Sequence, residues 1–229
     1  MTAMLLTLSA PSLEPPKAVQ GCHGATITAN WLRRFGVLSL AAEVEVPEDV
    51  RRVFRMDNEV LAFRFTATVS DRSGLAPRER LADPVRLKMW LGATGLGVPD
   101  VSPTDLEDAV DLREAIYRIG SAIAAGEQAE SKDVHTLNTM AAAGHAKAAL
   151  EHGCAGWHLT ETTPVSDALG VLAADAIRIL GGPDRGRIKN CEGPGCAGLF
   201  LDTSRAGNRR WCSMNTCGNK VKKSRINAS

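Results

Sequence analysis

Between residues 83 and 182 apolar positions recur at helical spacing, and the runs carry start and stop signals. Asp83-Pro84 reads as an N-cap and first helical residue, followed by Val85, Leu87, Trp90 and Leu91, with Gly92 as the stop. Ser102-Pro103 opens a longer helix through about Ala125, whose apolar face includes Leu106, Val110, Ile116, Ile119 and Ile123. A third helix is predicted over Lys132 to Ala143. Thr163-Pro164 opens another, with Val165, Leu169, Leu172, Ala176, Ile177 and Leu180 on one stripe and Gly181-Gly182 ending it. Lys147 to Leu150 and Trp157 to Thr160 read as a small hairpin around Gly153 and Gly156. The pattern predicts a mainly α fold, multihelical with small β-hairpin elements.

The chain has 229 residues, 44% of them apolar and 23% charged, which suits a soluble globular protein and excludes a fibrous or wholly disordered one. Aromatic residues are only 4%, so Leu, Val, Ile and Ala must supply most of the core. No apolar run is long enough to span a bilayer, and Met1 to Ala10 lacks the positive start of a secretory signal. The expectation is a cytoplasmic protein with no membrane partner.

A net charge of +1 conceals a split. Residues 185–229 hold ten basic and two acidic side chains, leaving the rest of the chain at −7. This pattern suggests an acidic body carrying a basic module that meets a polyanion, although a solvated cationic tail would have the same composition.

Four of the six cysteines fall in that basic stretch. Cys191-Glu-Gly-Pro-Gly-Cys196 and Cys212-Ser-Met-Asn-Thr-Cys217 form two pairs separated by fifteen residues. Paired spacing of this kind supplies two ligands from each of two turns to a tetrahedral Zn2+. Gly193, Pro194 and Gly195 allow the tight turn in the first pair. Two disulfides are the competing reading, disfavoured in a reducing compartment. A catalytic zinc needs an open coordination position, which four thiolates do not leave, so the ion is read as structural. So few apolar residues would hardly fold without such a staple.

Gly198 to Asp202 and Arg209 to Trp211 are read as two short strands joined at Ala206-Gly207-Asn208, with Cys217 opening a helix to about Arg225. Arg205, Arg209, Arg210, Lys220, Lys222, Lys223 and Arg225 are the candidate phosphate contacts. Asn219 either braces the helix start or touches a base; Asp202 either orients Arg205 or caps a turn.

The runs Phe200-Leu-Asp202-Thr-Ser204-Arg205, Arg209-Arg210-Trp211-Cys212-Ser-Met214 and Cys217-Gly218-Asn219-Lys220 closely resemble the CGNR-type zinc finger of bacterial proteins. Lys220 stands where the family motif has Arg, which keeps the charge and loses a planar fork. From Val60 to Gly182 the chain also resembles the ABATE domain that accompanies this finger. The marks are Leu81-Ala-Asp83-Pro84, Trp90-Leu91, Asp111-Leu-Arg113-Glu114-Ala115-Ile116 and Asp175-Ala-Ile177-Arg178-Ile-Leu180. Arg64-Phe65-Thr66-Ala67-Thr68 stands where relatives carry an Asp-Phe-x-Asn-Thr-like run. The resemblance divides the chain into an N-terminal extension (1–55), a helical ABATE-like domain (56–184) and the finger (185–229). A family-like start would fall near Met56, which makes the first segment an extension or an upstream start.

Other motifs carry less. His152-Gly-Cys154 with His158 and His145 is explained by a glycine-rich hairpin tip. Gly92-Ala-Thr-Gly95-Leu-Gly97 follows a helix, the wrong context for a dinucleotide loop. Asp111, Arg113 and Glu114 read as an exposed charged face. No set resembles a catalytic one, so the expectation is not an enzyme. The resemblance implies a stress-induced transcription regulator whose finger grips DNA. Its helical domain would sense a small-molecule or protein effector or form a homodimer. The alternatives are a ligand- or protein-binding helical domain with a purely structural finger, and an RNA-binding module.

Overall fold

A computed structural model describes residues 48–151, 154–159 and 162–226. The segment 1–47, with its Cys22-His23-Gly24 turn, and His152 of the hairpin tip lie outside the described residues, as do the side chains of Cys154 and Arg225.

Two short helices, α1 (Glu48–Val53) and α2 (Leu61–Thr66), lead into a two-residue ladder of β1 (Val69–Ser70) and β2 (Arg78–Glu79). Helices α3 (Pro84–Ala93), α4 (Pro103–Ala125) and α5 (Ser131–Ala143) follow. The antiparallel hairpin β3 (Lys147–Glu151) and β4 (Cys154–His158) precedes helix α6 (Val165–Leu180). No helix among the described residues is long and apolar enough to cross a membrane.

Local chemistry explains the helix starts. The Asp83 carboxylate accepts from the Arg86 amide at 2.8 Å, and Pro84 occupies the first turn, where its missing N–H costs nothing. Ser102 and Asp105 cap each other reciprocally at the start of α4, and Gly126, at φ 74°, ends it in the left-handed region. The core gathers Phe63, Phe65, Leu87, Trp90, Leu91, Leu112, Ile116, Leu169 and Leu172 from α2, α3, α4 and α6. Helices α5 and α6 come together where Gly144 meets Gly170; a Cβ on Gly144 would lie 2.7 Å from the Gly170 Cα.

Two sequence expectations need correction here. Val85, counted among the apolar positions that follow the first cap, and Ile177, assigned to an apolar stripe, are exposed. Arg113, read as part of an exposed charged face, is only 2% exposed. It shares the inner stripe of α4 with Ala109, Leu112 and Ile116, and its charge is matched by Glu79, both of whose carboxylate oxygens accept at 2.7 Å, and by Glu114 at 2.8 Å. Burial works to raise the Glu79 and Glu114 carboxyls; the guanidinium groups of Arg113 and Arg72 outweigh it and hold them below the ordinary range. Arg72 pairs with Glu114 and lies 3.9 Å over the Tyr117 ring.

After a 3-10 turn (Arg185–Arg187), β5 (Ile188–Asn190) pairs with β6 (Leu199–Leu201) in antiparallel register. Arg209 to Trp211, expected as the partner of the 199–201 strand, forms no strand; the partner is the segment before the first cysteine pair. A π-helical turn (Met214–Gly218) and helix α7 (Asn219–Ile226) end the described chain.

Period-two alternation gives this ladder two faces. Ile188, Leu199 and Leu201 enter the helical core, whereas Phe200 joins the four cysteines and Trp211 in a second cluster. Gly120 makes the seam fit: a Cβ there would lie 2.5 Å from the Leu199 Cδ1. Polar bonds fasten its edges, with Asn58 donating to the Leu199 carbonyl at 2.9 Å, Tyr117 to Ala197 at 3.1 Å and Asn190 to the Ser121 hydroxyl at 3.1 Å. The Ser73 amide also donates to the Gly195 carbonyl.

Candidate metal centre and basic surface

The first cysteine turn is built by backbone conformations that a glycine tolerates. Gly195 has φ 74°, and a side chain on Gly193 would press within 2.9 Å of the Cys217 Cβ and 3.3 Å of the Cys191 Sγ. The second turn starts where the Ser213 hydroxyl accepts from the Thr216 amide, delivering Cys217 at the head of α7.

Together these turns bring the Sγ atoms of Cys191, Cys196, Cys212 and Cys217 within 4.8 Å of one another, all buried. Cys212 lies 3.8 Å from Cys196 and 3.7 Å from Cys217. A tetrahedral zinc with Zn–S bonds of about 2.3 Å requires sulfur separations of about 3.8 Å. These are far longer than a disulfide bond of about 2.05 Å, and all four cysteines are free. Four thiols this close cannot all ionise without a cation. Hydrogen bonds from Cys191, Cys212 and Cys217 push the Cys196 thiol well below the ordinary range, while contact with Cys191 and Cys196 drives Cys212 and Cys217 above it. The four cysteines fit one structural zinc ion, which would complete a closed, four-coordinate site.

The Gly193 and Cys212 amides donate to the Cys191 Sγ at 3.4 and 3.3 Å. A guanidinium outside the finger also reaches the centre. Arg55 Nη1 donates to the Cys196 Sγ at 3.8 Å and Nη2 to the Cys212 Sγ at 3.4 Å. Burial disfavours the Arg55 charge, but the Cys212 sulfur in its thiolate form, together with Asp57, outweighs it and raises the guanidinium above its ordinary pKa. Sequence reasoning missed Arg55 because nothing local links residue 55 to cysteines more than 140 positions away.

Asp202 is wholly buried and organises the loop between the two turns. Lys189 Nζ donates to it at 2.7 Å, and the Ser204 and Arg209 amides donate at 3.0 and 2.9 Å. Burial alone would raise this carboxyl; Lys189 and Ser204 overcome it and hold it far below the carboxylate range. Of the two sequence readings, Asp202 takes the turn-capping one.

The candidate phosphate contacts divide by environment. Arg209 gives its guanidinium to the carbonyls of Trp211 and Cys212, at 2.9 and 2.6 Å, beside the Phe200 ring. Arg210 is exposed and paired with Glu192 at 2.6 Å. Lys220, at the start of α7, lies 3.7 Å from Asp71. Arg205, Lys222 and Lys223 are exposed, with no acidic partner among the described residues. Arg225 lies on α7. Asn219 braces the helix start by donating to the Asn215 carbonyl at 3.0 Å.

Fold and centre together define a helical protein with a fused, four-cysteine structural zinc finger. Residues 187–228 match the CGNR zinc finger. Residues 59–183 match the ABATE family model, whose description reads "Putative stress-induced transcription regulator". That match spans more than half of the chain, and the protein belongs to the ABATE family. A search of curated proteins returned no match.

Proposed function

We propose that this protein is a DNA-binding transcription regulator in which the finger grips the phosphate backbone and the helical body carries the regulatory input. One observation carries the reading. Helix α7 holds Lys220, Lys222, Lys223 and Arg225 with no acidic residue, and it begins beside a zinc ligand, Cys217. A rigid centre thus presents a concentrated positive charge, joined by Arg205 and Arg210. Arg209 is assigned to the framework of the finger, which narrows the contact set to Arg205, Arg210, Lys220, Lys222, Lys223 and Arg225.

DNA is favoured over single-stranded RNA because the finger has few rings to stack bases on. Phe200 is buried, and Trp211 is half-buried with Arg210 over its ring. A single small finger reads little sequence, so the proposal includes a homodimer on an operator, an effector acting on the body, a cytoplasmic site of action and no catalysis.

The test is fluorescence anisotropy of the zinc-loaded protein on random duplex DNA across a salt series. Engaging about five phosphates gives a log–log slope of roughly −4 to −5. Lys222→Glu/Lys223→Glu should abolish binding while retaining zinc. Absence of salt-dependent binding by the wild type, or unchanged binding by the double variant, would defeat the reading. Tighter binding to single-stranded RNA would transfer it to RNA.

A further inference from the structure

We infer that Arg55, which lies outside both matched segments, is a working part of the zinc centre: its guanidinium holds the two halves of the finger together through their thiolates. Four thiolates around one Zn2+ leave a doubly negative, buried group, and such a group is stable only where donors face its sulfurs. The donors are shared out between backbone and side chain. Two backbone amides, those of Gly193 and Cys212, serve Cys191. Arg55 serves Cys196 and Cys212, one nitrogen to each. Those two cysteines belong to different turns, so a single planar fork spans the gap between the two halves of the site that would hold the zinc. Among the described residues no other Lys or Arg donates to a cysteine sulfur, and Arg209, the nearest alternative in sequence, is turned to main-chain carbonyls.

Arg55 is positioned for this by the body. Val50 and Phe54 of the preceding segment are buried in the helical core, and Arg80 donates to the Val53 carbonyl at the end of α1. Asp57, 3.6 Å from the guanidinium, holds its other side. The arrangement ties residues 48–58 to the metal, and linkage makes the tie reciprocal: zinc orders this segment as much as the segment retains zinc.

The test uses the full chain as wild type, Arg55→Met and Arg55→Lys. Met keeps the apolar stem and removes the charge; Lys keeps a charge that cannot reach two sulfurs as a fork. Zinc affinity is read by chelator competition, and thiolate exposure by the rate of iodoacetamide alkylation of the zinc-loaded protein. We expect Arg55→Met to hold zinc about tenfold more weakly and to be alkylated faster, with Arg55→Lys in between. Hydrogen exchange of residues 48–58 in the wild type should slow when zinc is added. Equal affinity and alkylation in all three proteins would overturn the inference, as would Lys performing no better than Met. Should Arg55→Met fail to fold, Arg55→Lys and the exchange experiment decide. An unchanged Lys variant, or exchange indifferent to zinc, overturns the inference.

Discussion

The helical body and the finger are stabilised by opposite means, yet they share a wall. The body's interior is ordinary apolar packing around Trp90, Phe63, Phe65 and the leucines of α3, α4 and α6. The finger's interior is four thiols, Phe200 and a half-buried Trp211, with the wholly buried Asp202 beside them. Neither element of the β5–β6 ladder belongs wholly to one side. Its odd-numbered apolar residues Leu199 and Leu201 pack with the body, and Phe200 between them packs with the cysteines. The finger is therefore a metal-built layer laid on a hydrophobic one, and loss of either should be felt by both.

Zinc removal is the strongest way to break this comparison. Structural zinc contributes on the order of 10 kcal/mol to small finger folds, comparable to the whole stability of a domain. Chelation, or Cys191→Ser, should unfold residues 188–226 and also lower the melting temperature of the helical signal, because Ile188, Leu199 and Leu201 leave the shared core. Circular dichroism melts with zinc quantification would read this. A helical transition identical with and without metal would mean the ladder contributes nothing to the body.

Asp202 comes next. Replacing it by Ala leaves Lys189 on the Gly207 carbonyl but frees two amides of the 202–209 loop and the Ser204 hydroxyl, a loss of about 3 kcal/mol at roughly 1 kcal/mol for each of those three bonds. Its pKa is depressed in the folded protein, so its contribution is complete above the ordinary carboxylate value of about 3.9 and is lost as pH falls through the folded value. The melting temperatures of wild type and Asp202→Ala should differ most near neutral pH and converge in strong acid. A gap independent of pH would show that packing, not charge, carries the effect.

How much of this was legible in the sequence follows from how local each cause is. The caps at Asp83 and Ser102 depend on residues three positions away, and the helices begin where those residues predict. The cysteine spacing is equally local within each turn. Arg113 was misjudged because its partner Glu79 lies thirty-four positions upstream, on a ladder of only two residues per strand that no sequence pattern announces. The partner of Leu199–Leu201 was misjudged for the same reason. Pairing across the zinc turn, Ile188 with Leu201, is set by the metal-binding loop between them rather than by any turn residue. Helical phase does hint at Arg113, which falls on the stripe of Ala109, Leu112 and Ile116.

The smallest effects sharpen the comparison most, because they use one substitution at two glycines. Gly120→Ala places a Cβ 2.5 Å from Leu199, at the seam, and overpacking of this kind costs about 1–3 kcal/mol. Leu199 must move, and with it the Asn58 and Asn190 bonds that bracket the ladder, so zinc affinity should fall together with stability. Gly92→Ala, also on a helix, meets nothing within 4 Å, whether of the finger or of the body. There the added methyl only restricts the unfolded chain, and the helix should gain up to about 1 kcal/mol. Opposite signs from the same chemical change, read by thermal melts and chelator competition, would show that what distinguishes Gly120 is the finger pressed against it. Equal responses would mean that the seam is loose enough to absorb a methyl group, and that the metal layer sits on the body without being fitted to it.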